Sequence, residues 1–281
     1  MNYRHAYHAG SFADVVKHAI LALVLSHLKQ KEKPFFVLDT HAGIGRYDLA
    51  SVEAMKTKEA EGGILRLWAA PRVPAELEDY LACVRALNGR GKGAPRWYPG
   101  SPRLMRQLMR PQDRLVAVEL HPDDAARLAA EFRRDPAVNV MRMDGYTAAK
   151  SLLPPAERRG LVVIDPPFEE TDEFERLARG LRQAYRRWAT GIYAIWYPVK
   201  DVAAAAAFLD AVKASGIRRI LSTELWVEKP GDPEKLTGTA LLLVNPPWNL
   251  QPALETLLAF LSAVLARAPG AGFKVSWLVP E

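Results

Sequence analysis

Four consecutive residues, Asp165-Pro166-Pro167-Phe168, combine the groups needed to handle a planar amine. The lone pair of an exocyclic amine is delocalised into its ring, so reaction at that nitrogen needs acceptors that favour the pyramidal form. The Asp165 carboxylate and the Pro166 carbonyl can each accept one amino hydrogen, which localises the lone pair and offsets positive charge as it develops. The two prolines restrict the backbone so that these acceptors converge, and Phe168 offers a face for a base that has left its stack. The plain alternative is a Pro-rich turn at a strand end. Asn245-Pro246-Pro247-Trp248 has the same form, but it follows the last strand pattern, where a structural turn is expected.

Three upstream segments say what could meet that amine. Asp39-Thr40-His41-Ala42-Gly43-Ile44-Gly45 is an acid followed by a Gly-x-Gly turn, which lets the backbone approach a ligand at the carboxyl end of a sheet. Asp48 stands where a dinucleotide site would want a third glycine, and no Gly-Lys-Ser/Thr loop occurs, so a ligand without pyrophosphate is favoured. Glu119 can accept two ribose hydroxyls, and Asp144, followed by Gly145, can accept from an adenine amino group. Acids at three successive strand ends would repel phosphates. They suit an adenosine with a cationic group, as in S-adenosylmethionine, although each acid alone could simply cap the next loop or helix. The combined expectation is methyl transfer to an exocyclic amino nitrogen of a nucleic-acid base. DNA adenine or cytosine, a protein glutamine amide, and a non-catalytic RNA-binding factor on a decayed fold remain alternatives.

Short apolar runs alternating with helical patterns position these residues, which predicts an α/β fold with a mostly parallel sheet. Seven strands are expected: Phe35-Asp39, Leu115-Glu119, Val138-Met141, Leu161-Asp165, Ile192-Trp196, Arg219-Val227 and Thr239-Val244. Helices are expected over Phe12-Lys29, Asp123-Arg133, Thr171-Trp188 and Val202-Ser215. Only a Pro- and Gly-containing loop joins the last two strands, so they should pair antiparallel. This is the Rossmann-like arrangement. The first two strands are about 75 residues apart, far more than one crossover needs. Residues 47–97 are therefore read as an inserted helical subdomain, and 1–46 with 98–281 as the Rossmann-like domain. Ser101 is expected to cap the returning helix, with Pro102 at its first position.

Lys and Arg outnumber Asp and Glu by 38 to 32 in the 281 residues, a formal charge of +6. Several basic residues arrive as pairs: Arg133-Arg134, Arg158-Arg159, Arg186-Arg187 and Arg218-Arg219. Such a surface can meet phosphates, though solvated helix faces account for most such pairs. Cys83 is the only cysteine, which excludes an internal disulfide and a thiolate zinc cluster and fits a reducing cytoplasm. No stretch reaches the roughly 18 uncharged apolar residues of a membrane span, and the apolar run near residue 20 lacks the flanks of a signal peptide. His5 and His8 are spaced as metal ligands, but no acidic or cysteine partner adjoins them, so no metal is expected. Lys17 lies among apolar neighbours and must snorkel or meet an anion, either a cofactor carboxylate or a substrate phosphate. Tyr3, Arg4 and His5 could equally be a frayed terminus.

Beyond these readings, the opening Tyr3-Arg4-His5 with His8-Ala9-Gly10, Ala13-Asp14-Val15 and Lys17-His18 resembles the start of the RlmJ family, bacterial 23S ribosomal RNA adenine-N6 methyltransferases. The likeness runs through Leu38-Gly43, Tyr98-Pro102, Glu119-Pro122, Asp144-Gly145, Asp165-Pro167, Ala194-Pro198, Asn245-Trp248 and Val275-Glu281, so it covers essentially the whole chain. It implies methylation of one adenine N6 in 23S rRNA by a monomer. It places cofactor contacts on Lys17 or His18, His41, Ser101, Glu119, Asp144, Gly145 and Asp165, and substrate contacts on Tyr3, His5 and Lys17. Phe168 stands where the family often has Tyr; stacking survives that change, but a hydroxyl hydrogen bond does not.

Overall fold

The computed structural model describes residues 4–89, 93–231 and 235–281; Tyr3 lies outside them. The chain enters through α1 (Phe12–Lys29) and β1 (Phe36–Asp39), then β2 (Arg46–Asp48), α2 (Val52–Thr57), α3 (Ile64–Trp68), α4 (Glu78–Asn88) and β3 (Trp97–Pro99). It continues through α5 (Ser101–Leu108), β4 (Arg114–Glu119), α6 (Pro122–Phe132), β5 (Val138–Arg142), α7 (Gly145–Leu152), β6 (Gly160–Ile164) and α8 (Glu173–Arg187). It closes with β7 (Ile192–Val199), α9 (Val202–Lys213), β8 (Ile220–Trp226), β9 (Gly238–Val244), α10 (Leu250–Val264) and β10 (Gly272–Val279).

The main sheet has the order β10-β8-β9-β7-β6-β1-β4-β5. β1 pairs parallel with β4 and β6, while β9 runs antiparallel between β7 and β8. Because β1 and β6 are covered on both faces, every residue of each is buried, as central parallel strands require. Side chains alternate between the two cores: Val37 joins α1 on one face, and Phe36 and Leu38 join α8 on the other. Gly160 marks how closely β6 meets β1, since its φ is +151° and a Cβ there would lie 1.8 Å from the Phe36 carbonyl oxygen.

An eighth strand, β10, exceeds the seven expected. Phe273 and Val275 pack toward one core and Leu278 and Val279 toward the other. The register slips between Trp277 and Val279, so no clean period of two marks this half-exposed edge strand. The small antiparallel pair β2–β3, closed across the helices between them, was also unforeseen, being only three residues a side. Ser101 is not the N-cap it was expected to be. Gly100 takes that position, its carbonyl accepting from the Leu104 amide at 2.9 Å, and the Ser101 hydroxyl is directed elsewhere.

Residues 52–88 hold α2, α3 and α4 and share their core with α1. They also fasten the chain's start: the Ile64 amide donates to the Gly10 carbonyl at 2.8 Å, and a Cβ on Gly63 would lie 2.1 Å from that oxygen. α1 is covered by α4 and α5 and, from the far end of the sequence, by β9 and α10.

Candidate active site

A cleft of about 580 Å³ opens where β1, β4 and β6 end. Its walls bring together His5, Lys17, His18, His41, Gly43, Ser101, Glu119, Asp144, Gly145, Asp165, Pro166 and Phe168, which the sequence scatters from its fifth to its 168th position. Of the described residues expected there, Asp39 alone stands behind the wall.

The floor is a line of alternating charge. Lys17 Nζ lies 2.5 Å from Asp165 Oδ2 and 2.9 Å from Asp14 Oδ1. Asp14 also lies 2.9 Å from His5 Nε2 and accepts from the Gly10 amide at 3.0 Å. Lys17 and Asp14 are 5% and 2% exposed, which by itself would discharge both. Burial does push the Lys17 ammonium down, but Asp14 and Asp165 prevail and raise it above the usual lysine value. Burial likewise pushes Asp14 up, and the charges of His5 and Lys17 hold it well below the usual carboxylate range. Lys17 engages Asp165 through Oδ2, so the acid is gripped from behind rather than capped at both oxygens.

His18 is set differently. Burial pushes its imidazole down to about 3, so the ring is neutral, and Nδ1 lies 2.9 Å from the Tyr98 hydroxyl, itself 3.0 Å from that of Tyr80. Burial also takes His41 down to about 4, with Nδ1 2.8 Å from Thr40 Oγ1.

Each of the upstream acids has a structural duty. Glu119 accepts from the Gly43 amide at 2.9 Å and the His121 amide at 2.8 Å, and burial outweighs these bonds to raise its carboxyl. Asp144 caps α7, accepting from the Thr147 amide at 2.7 Å. Both still face the cleft. Two glycines keep the wall thin: a Cβ on Gly145 would lie 2.3 Å from the Thr40 carbonyl oxygen, and one on Gly43, at φ +61°, would lie 2.1 Å from the Tyr47 hydroxyl.

Asp39 is fully buried and accepts from the Ser101 hydroxyl at 2.7 Å. Burial, reinforced by Asp165, pushes its carboxyl up to about 7 against the Ser101 bond. A carboxyl raised on folding lends stability that is fully present below its unfolded value near 3.8 and is lost as pH rises through about 7. Asp39→Asn should therefore gain on the parent between pH 5 and pH 8, by on the order of 2–3 kcal/mol. Denaturant midpoints at the two pH values measure this; equal midpoint differences would refute it.

Phe168 occupies left-handed backbone at φ 51°, sparsely populated by side-chain-bearing residues. Its ring meets Phe174 and Trp196 edge-on at centroid distances of 4.9 and 5.7 Å. Asn245 lies at the other end of the sheet, because β9 runs backwards. Its amide donates to the carbonyls of Ala189 and Gly191, both at 2.8 Å.

Several wall residues escaped sequence reasoning. Asp14 is the acid that His5 seemed to lack, and Glu59 lies 2.8 Å from His8. Their separation in sequence hid both contacts, although the spacing of Asp14 and Lys17, three apart on an apolar helix, was a usable signal. Glu173 accepts from Tyr146 at 2.7 Å and pairs with Arg176 at 3.2 Å. Among the described residues, no three His, Cys, Asp or Glu side chains gather as a metal site.

A mostly parallel sheet with an antiparallel strand, β9, set between β7 and β8, and a carboxylate-lined cleft at the strand ends, defines the Rossmann-like methyltransferase fold. The chain belongs to the family described as ribosomal RNA large subunit methyltransferase D, RlmJ, whose pattern matches residues 32–279. It is 43% identical over 281 residues to ribosomal RNA large subunit methyltransferase J of Escherichia coli (strain K12), with 100% of both chains covered. It is 42% identical, with the same coverage, to the protein of that name from Haemophilus influenzae. A crystal structure of a Legionella pneumophila protein superposes with a TM-score of 0.87 at 32% identity, covering 96% of this chain and 98% of that one.

Proposed function

We propose that the protein transfers the methyl group of S-adenosylmethionine to N6 of an adenine in 23S ribosomal RNA, in the bacterial cytoplasm. The observation that carries this reading is the convergence of Asp165, Glu119 and Asp144 in one cleft of a chain belonging to a ribosomal RNA methyltransferase family.

The cleft fits the cofactor. Its acids suit a cationic ligand, Lys17 and the neutral His18 can face a carboxylate, and the bare glycines 43 and 145 let a ligand approach the backbone. S-adenosylmethionine supplies an electrophilic methyl group. Around it, Glu119 would accept from ribose, Asp144 from the adenine amine, and His41, Gly43, Ser101 and Gly145 would shape the pocket. Asp39 would act behind them by orienting the Ser101 hydroxyl. Asp165 and the Pro166 carbonyl would accept the two hydrogens of the target amine, raising its nucleophilicity where charge develops. Lys17 keeps Asp165 oriented through its contact with Oδ2. Phe168 would stack on the flipped base, and Tyr3 and His5 would border the RNA.

Labelled S-adenosylmethionine, deproteinised 23S rRNA lacking the modification, and nucleoside mass spectrometry test the proposal. N6-methyladenosine at one site is expected. Methyl transfer to no rRNA nitrogen, despite cofactor binding, would reject it.

A further inference from the structure

The four arginine pairs lie at one pole of the molecule, and it is not the catalytic pole. In a parallel α/β sheet each crossover helix runs against its strands, so the segment entering a strand lies opposite the cleft. Arg133-Arg134 precede β5, Arg158-Arg159 precede β6, Arg186-Arg187 end α8 ahead of β7, and Arg218-Arg219 precede β8. From β8 to β5 the sheet order counts six strand spacings, so the pairs spread over roughly 29 Å at about 4.8 Å a strand. That approaches the roughly 34 Å of one duplex turn.

These cations are largely uncompensated. The acids in the same loops are already engaged: Asp113 by Arg110, Asp135 by Arg106 and Glu157 by Arg114. Among the described residues, Arg218 and Arg219 both meet Glu281, through its main-chain oxygen and its side-chain carboxylate respectively, Arg159 and Arg187 donate to main-chain carbonyls, and the six of the eight other than Arg218 and Arg219 pair with no side-chain carboxylate. The helix dipole accounts for cations at the ends of α6 and α8, but not for Arg158 and Arg219, which hold left-handed backbone at φ 53° and 58°. Trp248, 85% exposed, stands at the same pole, for the Asn245 amide donates to the Arg219 carbonyl at 3.0 Å. The cleft rim is mixed, with exposed acids at Asp123, Glu169, Glu170, Asp172 and Asp201, Arg4 paired to Asp123, and Arg176 and Lys200 among the lining residues.

We propose that this pole is a second RNA-binding face, gripping the phosphate backbone of the substrate rRNA far from the target base, with Trp248 as a stacking platform for an unpaired base. The proposal rests on the rRNA methylation proposed above. A cleft mouth of mixed charge offers little phosphate-binding surface of its own, whereas arginines without carboxylates release counterions when phosphates arrive. Exposed aromatics among cations are the usual furniture of single-strand recognition. A long, folded rRNA reaches both poles; a short hairpin bearing only the target adenine does not.

The test replaces Arg134, Arg158, Arg186 and Arg218 together by Gln, with Trp248→Ala as a separate variant, after circular dichroism has established the fold of each. Binding and methylation are compared for a long 23S rRNA fragment and a short hairpin over a salt series. For the quadruple variant, affinity for the long fragment should fall tenfold or more, and the slope of log affinity against log salt should shrink by about 3. Cofactor affinity and hairpin methylation should be unchanged, and Trp248→Ala should weaken long-fragment binding with little change in slope. An unchanged slope and affinity on the long fragment would overturn the proposal, as would equal losses on both RNAs. Lost retention on heparin with rRNA binding intact would also overturn it, assigning the pole to another acidic partner. If the parent binds rRNA without methylating it, the proposed function fails while the binding comparison still decides this surface.

Discussion

Asp165→Ala should lower methyl transfer by at least 10²–10³-fold, the scale on which one preorganised transition-state contact acts, while cofactor binding and fold persist. The fold persists because Lys17 keeps Asp14 at 2.9 Å after Asp165 is gone, so the buried ammonium is not stranded. Asp165→Asn separates the two duties of the acid: it retains an acceptor for the amine but surrenders the charge that holds Lys17. An intermediate rate for Asn assigns part of the effect to charge, whereas a rate equal to that of Ala makes charge the whole of it. Single-turnover rates with saturating cofactor measure all three proteins, and parent-like turnover of Asp165→Ala would remove this carboxylate from the mechanism.

Lys17→Met should be the most damaging substitution to stability, at about 3–5 kcal/mol, the cost of breaking a buried ion pair from one side. It leaves Asp14 and Asp165, 2% and 14% exposed at the side chain, without their shared cation. Acid sensitivity should change as well. A carboxylate depressed on folding lends stability that is present above its unfolded value near 3.8 and is lost as pH falls through its lower folded value. Without Lys17 one of the charges that depress Asp14 is gone, so the variant should begin to unfold at a higher pH than the parent. Adding Asp14→Asn to Lys17→Met should recover part of the loss, because the two sites are in contact and their effects are not additive. Urea melts at neutral pH and acid titrations of the three proteins measure these effects; a loss below 1 kcal/mol for Lys17→Met with no acid shift would contradict them.

Much of this was legible because the informative residues sit where periodicity changes. Asp39, Glu119, Asp144 and Asp165 each end or follow an apolar run, so strand-end placement could be inferred without coordinates. The boundaries of α1, from Phe12 to Lys29, were likewise readable from its apolar run and the basic residues that follow it. What escaped depended on tertiary geometry. No local pattern says that Lys17 reaches an acid 148 residues away, since that contact exists only once α1 lies across the sheet. Asp39 looked like a ligand contact because it ends the first strand, but Ser101 arrives from α5 and covers it. β10 was hidden by its register slip, whereas α10, with Leu250, Leu254, Leu257, Leu258 and Leu261 on one buried face, had a readable period although it is absent from the expected helices.

The covering of α1 bears on how the protein is made. Fourteen of its 18 residues are buried, one flank beneath α4 and α5 and the other beneath β9 and α10. During synthesis the first flank can close once about a third of the chain has emerged, but the second waits for residues 238–264. Until then a long apolar helix lies open at the start of the nascent chain, and exposed apolar surface of this kind is what drives premature association. The late strands are thus a lock as well as a wall: a message truncated before β9 would yield a chain unable to conceal its own beginning, a natural target for chaperones and proteases.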